Sequence, residues 1–448
     1  MKIINLLTLF FIVACAQQKQ QEVALIIENV SIVNVRDGSI SNNQYVAIDS
    51  GIIVGISDQE GLSHSSENTI DGTGKYLMPG LAEMHAHIPT ETAWGGNVKN
   101  TLFLYVSQGV TTIRGMQGNA LHLELRTKAE NQEIVSPRIF TSSPPLNGST
   151  VKTVEEADEK VRKYAADGYD LLKILPGIKL EVFDQIVKTA KEVGIPFAGH
   201  VPADVGVRHA LESGYASIDH MDGYLTGLAP ESVTSTSESG FFGYNYTDAA
   251  DTSLIDELVK MSLDNNVWVV PTQTLFTRWF SPGDPQEYAA QPEMKYMPED
   301  QIEKWVASKT RMIEADNFNE AQWRKYIDIR EKCLLALHRK GKGLILGSDA
   351  PQVFNVPGFS IHHELEDMLD VGLTPLEAIQ TGTINAAKYF NMEGQFGEIL
   401  ENASADLILV NNNPLEDLST IKSHVGVVVR GRWLSPEEIT KELEEIAR

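Results

Sequence analysis

The stretch Leu77-Met-Pro-Gly-Leu-Ala-Glu-Met-His85-Ala-His87 decides how the chain is read. An apolar run follows a Pro-Gly turn and ends in two histidines two positions apart. On a strand, positions i and i+2 point to the same side. Both imidazoles can then reach one point, and a divalent metal is the usual object there. Two surface histidines on a loop are the bland alternative. What separates the two readings is where the other candidate ligands fall.

The 448 residues carry 61 acids against 37 bases, a net charge of −24. Such a balance argues against nucleic acid as a partner and against peripheral binding to anionic lipid. A length of this order allows a large core and one to three domains. With only Cys15 and Cys333 there is no disulfide framework. At the N-terminus, Lys2 precedes the mainly apolar run Ile3 to Val13, which is too short to span a bilayer comfortably. It runs into Ala14-Cys15 and then a polar stretch, which resembles a bacterial lipoprotein signal with Cys15 as the lipidated residue. Cleavage of an ordinary secretory signal near Ala14 or Ala16 is the alternative. Either way the expectation is an exported protein, facing the periplasm or cell exterior, that touches the membrane only through a lipid anchor.

After a signal and tether over 1–21, short strands and turns fill 22–77. Similar strands recur at Ala405–Val410 and Val425–Gly431, so one small β-sandwich is expected from 22–77 together with 394–437, with a helical tail at 438–448. Between them, 78–393 alternates strands and helices. Thr111–Arg114, Arg138–Thr141, Asp170–Leu175, Pro196–His200, Ala216–His220, Val267–Pro271 and Gly343–Ser348 follow the first strand. Eight strands about one helix apart predict an α/β fold, a (β/α)8 TIM barrel. Two inserts stand out: Asp222 to about Ser253, with the aromatic run Phe241–Tyr246, and Thr274 to about Lys342, helical at Glu320–Arg339. Both follow barrel strands and should overhang the mouth, as lids or as inert decoration.

The metal-capable side chains now fall into place. His85 and His87 end strand one, Lys173 lies on strand four, His200 ends strand five, His220 ends strand six and Asp349 ends strand eight. Chemistry in this architecture collects at the C-terminal ends of strands. A random scatter of 11 histidines would rarely put four of them there.

Here the chain resembles the amidohydrolase superfamily, closest to its imidazolonepropionase-like and Xaa-Pro dipeptidase-like branch. The resemblance rests on Asp71 to His87, Gly109-Val-Thr-Thr-Ile-Arg114, Asp170-Leu-Leu-Lys173, Ala198-Gly-His200, Ile218-Asp-His220 and Gly347-Ser-Asp349. The tail Gly397 to Val410 with Asn413 to Asp417 matches as well. The resemblance implies a distorted barrel with the two-ended sandwich. It also implies two divalent metal ions, usually zinc: His85, His87 and Asp349 on the more buried one, His200 and His220 on the other. Lys173 would bridge them as N6-carboxylysine, with a salt-bridged lysine beside a single ion as the alternative. A hydroxide shared by the ions would be the nucleophile, and Asp349 would carry its proton to the leaving nitrogen.

Around this core, Tyr224 is a candidate to bind the developing oxyanion, or else a packing tyrosine of the rim. Arg114 and the pair His362 and His363 are candidates for a substrate carboxylate. Two departures matter. Gly115 stands where the branch often has an acid, and Leu146-Asn-Gly-Ser-Thr150 lacks the usual Gly-Gly-His. The second departure puts a proline-dipeptidase assignment in doubt. The expected activity is hydrolysis of amide-like C–N bonds in a small-molecule substrate: a dipeptide, an N-acyl amino acid or a cyclic amide. Lactonase or phosphotriesterase chemistry is the runner-up, and a non-catalytic peptide- or solute-binding lipoprotein the reading from another class. Whether the chain forms a homo-oligomer is left open.

Overall fold

The computed structural model describes residues 20–59, 61, 63–90, 97–340 and 343–448. The expected signal and Cys15 lie outside the described residues. Among the described residues no helix is long and apolar enough to cross a membrane.

The barrel strands run parallel in two arcs. The first holds Leu81–Ala86, Val110–Gly115 and Arg138–Thr141; the second holds Leu172–Ile174, Phe197–Gly199, Ser217–Asp219 and Trp268–Val270. Single bridges join the arcs, Ser142 to Leu171 and Leu146 to Ile174. The eighth segment, 343–350, closes the ring. Ile345 donates to Val269 O at 3.0 Å, Met84 to Leu346 O at 2.8 Å and His87 to Ala350 O at 2.8 Å. It was expected as a strand over Gly343–Ser348, yet only Leu344 and Ala350 make isolated bridges there. The cause is Glu83. Its fully buried carboxyl takes the Ser348 amide at 2.8 Å and the Ser348 hydroxyl, so this backbone turns to a side chain instead of a ladder. Burial pushes the Glu83 carboxyl up to about 8.

Helices follow the expected spacing. Leu180–Val193 turns Val182, Phe183, Ile186, Val187 and Ala190 inward, a 3.6-residue stripe whose large members each gain about 1.5–3 kcal/mol on burial. Val154–Asp167 begins at Thr153, whose side chain accepts from the Glu156 amide, and ends on left-handed Gly168. Outside the barrel, Tyr76–Pro79 pairs with Leu25–Val33 on one side and with Leu407–Val410 on the other. Both ends of the chain thus build one eight-stranded sheet. The helix Pro436–Ile446 follows that sheet.

The two inserts pack on each other above the barrel. Phe241 meets Phe280 at 4.8 Å and Trp279 at 5.1 Å between ring centres, and Tyr244 meets Phe280 at 4.7 Å. The helix Glu320–Arg339, capped by Asn319, lies behind them.

Strands four and five approach too closely for a side chain between them. Gly199 has φ +126°, and a Cβ there would sit 2.4 Å from the Ile174 carbonyl oxygen. Gly199→Ala is expected to cost about 2 kcal/mol or more through strain and displacement of the Lys173 strand. The urea midpoint measures it; an unshifted midpoint would mean the strands have room to part.

Candidate metal centre and active site

Six side chains from five barrel segments line one cavity of about 300 Å³: His85, His87, Lys173, His200, His220 and Asp349. Alternation along the first strand sends His85 and His87 to one side, with ring centres 5.3 Å apart. His220 stands 4.5 Å from His85 and 4.7 Å from His200. Asp349 Oδ1 is 2.6 Å from His87 Nε2 and 3.6 Å from His85 Nε2. Atoms of His85, His87 and Asp349 all fall within 4.8 Å of one another, a spacing that one ion can bridge.

Three of the imidazoles have a fixed partner on Nδ1. Asp219 Oδ2 lies 3.0 Å from His85, Asp222 Oδ2 lies 3.0 Å from His200, and Thr272 Oγ1 lies 2.8 Å from His220. The Asp222 carboxylate on His200 Nδ1 favours the tautomer that leaves Nε2 to ligate, whereas the Thr272 hydroxyl can donate or accept. Burial pushes the His85 ring down to about 4, and burial also lowers His220 well below its usual range. Both are neutral at pH 7, the form that binds metal. Burial alone would raise the Asp349 carboxyl, but His85, His87 and Lys173 around it hold it below the ordinary range. It is ionised at neutral pH.

Lys173 is 2% exposed, and its Nζ has no hydrogen-bond acceptor. The nearest carboxylate oxygen, Asp219 Oδ2, is 3.6 Å away. Burial lowers its pKa despite Asp219 and Asp349. An orphaned buried amine beside four imidazoles fits a metal-bound role better than a structural salt bridge.

The other expected site residues lie elsewhere. Tyr224 is fully buried with its hydroxyl on Ser262 Oγ at 2.6 Å. Left-handed Gly223 starts the helix Tyr224–Leu228 and turns the ring toward the helix Ile255–Asp264, away from the cavity. The packing alternative is what the structure has. Arg114 lies beneath the cluster, not at the mouth. Its guanidinium donates to Asp219 Oδ1 at 3.0 Å, Ser217 Oγ at 2.8 Å, Met84 O at 2.7 Å and the Tyr389 hydroxyl at 2.7 Å, and it is completely buried, out of a substrate's reach. His362 is buried in the helix Ser360–Val371 near His424, and burial pushes it down to about 3. His363 is spent on Glu293 at 3.0 Å. Neither lines the cavity.

Asp219, Asp222 and Thr272 were not singled out by sequence reasoning. Their one signal is nearness to ligands: Asp219 precedes His220, Asp222 follows it by two, and Thr272 sits two past the strand Trp268–Val270. The cavity is completed by Met116, Leu175, Phe241, Phe242, Leu275 and Trp279, with Gln117 and Gln352 as its neutral polar groups.

Comparison with known proteins agrees with this geometry. The curated relatives include an adenine deaminase of Oleidesulfovibrio alaskensis, 36% identical over 73 residues, 16% of this chain and 12% of that protein. An imidazolonepropionase of a Geobacillus species is 21% identical over 83% of this chain and 84% of its own length. The chain spans only 12 to 36% of the length of the first adenine deaminases it matches. Among solved structures, a Xaa-Pro dipeptidase with methionine bound in its active site superposes with a TM-score of 0.65 at 20% identity. The superposition covers 92% of this chain and 99% of that one, a likeness of fold. The model of the amidohydrolase family, a metal-dependent family, matches residues 76–434, from the last sandwich strand before the barrel to the strand that ends the sheet, and the chain belongs to that family.

Proposed function

We propose that this protein is a metal-dependent hydrolase of amide-like C–N bonds. One observation carries the reading: four imidazoles, a carboxylate and an unpartnered buried lysine converge on a single cavity at the ends of the barrel strands. A binding protein would have no need of that set.

His85, His87 and Asp349 would hold one divalent ion and His200 and His220 a second, with zinc the favoured identity for this nitrogen-rich set. When bound, such ions polarise a carbonyl and ease deprotonation of water. The chain's own part is orientation and proton traffic. Asp222 and Thr272 hold the rings of His200 and His220 through Nδ1, and Asp219 Oδ2 stands 3.0 Å from His85 Nδ1. Burial favours the neutral amine of Lys173, the form that reacts with carbon dioxide. As N6-carboxylysine it would offer two anionic oxygens, one for each ion. Asp349 Oδ1 and Oδ2, ionised and facing the rings of His87 and His220, form the base that takes the proton of the attacking water and returns it to the leaving nitrogen.

Three measurements test this. Metal analysis of purified protein should find about two transition ions per chain. Chelation should abolish activity and lower Tm, because an ion bound only to the folded state stabilises it; full activity in metal-free protein sinks the reading. Lys173→Ala should lose metal and rate together, with partial rescue of both by short carboxylic acids. Lys173→Arg should fail, since a guanidinium keeps its charge. Normal two-metal content in Lys173→Ala would count against a bridging role. Asp349→Asn keeps size and a carbonyl ligand but removes the base, so metal should be largely retained while the rate falls about 100-fold or more. Near wild-type turnover in that variant would take Asp349 out of the proton path.

A further inference from the structure

The ligands leave open which amide the site accepts. The walls of the cavity narrow the choice. Beyond the metal-binding set, the lining is Met116, Leu175, Phe241, Phe242, Leu275 and Trp279, with two neutral amides. Phe242 is held there against its own backbone preference. Its φ is +47°, a region that bulky residues rarely adopt and that costs about 1–3 kcal/mol. The strained ring lies 5.3 Å from His220 and 5.8 Å from His200 between ring centres, directly over two of the ligand histidines.

A carboxylate at the mouth would need a cation or free backbone amides, and those nearby are committed elsewhere. Arg114 is paired with Asp219. Arg330 donates to His220 O at 2.9 Å and Pro271 O at 3.1 Å. Arg278 donates to Phe354 O at 2.9 Å. Lys309 is turned onto Arg278 O and Ser281 O, each at 2.7 Å. At the start of Gln273–Arg278, beside the cavity, the Gln273 and Thr274 amides already donate to the Glu364 carboxyl at 3.0 and 2.8 Å. The sequence from Glu91 to Gly96, which follows the first strand, contains no lysine, arginine or histidine. Among the described residues, the basic groups that line the cavity are Lys173 and the four ligand histidines. The net charge of −24 disfavours anionic substrates further.

We propose that the substrate is an uncharged amide whose group at the mouth is aromatic or bulky apolar, and that the site discriminates against a free carboxylate there. The proposal rests on the hydrolase reading above. Water adds to the carbonyl carbon, the C–N bond breaks with its electron pair going to nitrogen, and the proton reaches that nitrogen, giving a carboxylic acid and an amine. The group next to the scissile bond would stack on Phe242, Phe241 and Trp279, where aromatic pairs gain about 0.5–1.5 kcal/mol beyond burial. A cavity of about 300 Å³ suits a small ligand. Of the classes named from the sequence, this disfavours dipeptides and N-acyl amino acids.

The test uses the metal-loaded protein and three amides: N-acetylphenethylamine, N-acetylphenylalanine and N-methylacetamide. The set is repeated with the aromatic group on the acyl side. The neutral aromatic amide should exceed both its carboxylate twin and the methyl amide by at least about 10-fold in kcat/KM, in one of the two orientations. Trp279→Ala should raise KM for the aromatic amide and leave metal content unchanged. Gln352→Arg, or Gln117→Arg at an exposed position should the first not fold, should move the ratio toward the carboxylate twin. Equal or faster cleavage of the carboxylate twin overturns the proposal and leaves the hydrolase reading standing. If no amide in the set is cleaved by protein of full metal content, the hydrolase reading fails and this proposal with it.

Discussion

Asp219 is the contact on which the rest of the centre depends. It is completely buried, and its two oxygens face in different directions. Oδ1 takes the Arg114 guanidinium at 3.0 Å and the Ser217 hydroxyl at 2.9 Å. Oδ2 faces His85 Nδ1 at 3.0 Å and Lys173 Nζ at 3.6 Å. Burial alone would raise this carboxyl, but Arg114, His85 and Lys173 hold it well below its usual range. Arg114 in turn grips Met84 O and the Tyr389 hydroxyl. One ion pair thereby ties strands one, two and six together beneath the ligands. A buried pair of this kind need not stabilise more than apolar packing would, while removing one partner costs about 3–5 kcal/mol. Its value here is placement: it sets a carboxylate oxygen beside the ring of one ligand and the amine of another.

Placement has a conformational cost. His220, Met221, Thr272 and Asp349 have φ of +63°, +54°, +44° and +62°, all in the left-handed region and all at the cavity end of the strands. Such residues cost about 1–3 kcal/mol each and persist only where the surroundings over-determine them. The surroundings are specific. Arg330 comes from the helix Glu320–Arg339, stacks 3.4 Å over Phe276 and donates to the carbonyls of His220 and Pro271. Glu83 and Asn355 hold Ser348 from both sides, through its amide and its carbonyl at 2.7 Å. The Tyr105 hydroxyl holds Ala350 O. The second insert therefore does more than cover the mouth: through Arg330 it supports the backbone of a ligand histidine.

This explains what the sequence could and could not reveal. Periodicity and turn residues are local, so the helix Glu320–Arg339 and the strand Arg138–Thr141 were legible to within a residue or two. The candidate ligands were legible because they end strands, and the chain order of a βα barrel fixes where strand ends meet. The supporting residues follow no such rule. Glu83 and Asp219 stand two residues and one residue before ligand histidines, but nothing local says what either carboxyl holds. Arg114 was read one layer too high: it ends a strand, yet its long side chain folds down into the barrel to reach Asp219. Tyr224 was misplaced by a single left-handed glycine that rotates the next helix. The eighth segment reads as a strand because its residues are apolar, but Glu83 competes for its backbone, and that competition is visible only in three dimensions.

Size is a poor guide to the chemistry in this molecule. A cavity of about 800 Å³ lies at the opposite end of the barrel, where the strands begin, with Arg36, His338, Gln380 and Asn385 in its wall. It is larger than the cavity at the ligands, but its chemistry is already satisfied internally. Arg36 is paired with Glu398 through two contacts, one of them 2.7 Å. His338 is paired with Glu377 at 3.0 Å, and Gln380 donates to Val35 O at 2.8 Å. Of these contacts, the one from Gln380 to Val35 joins the barrel to the sheet built from both chain ends. At the smaller cavity the balance is reversed: burial keeps His85 and His220 neutral, Lys173 has no hydrogen-bond acceptor and the backbone is strained. A folded chain tolerates buried groups in that condition only where something else completes them. That incompleteness, rather than volume, marks the end of the barrel where metal and substrate belong.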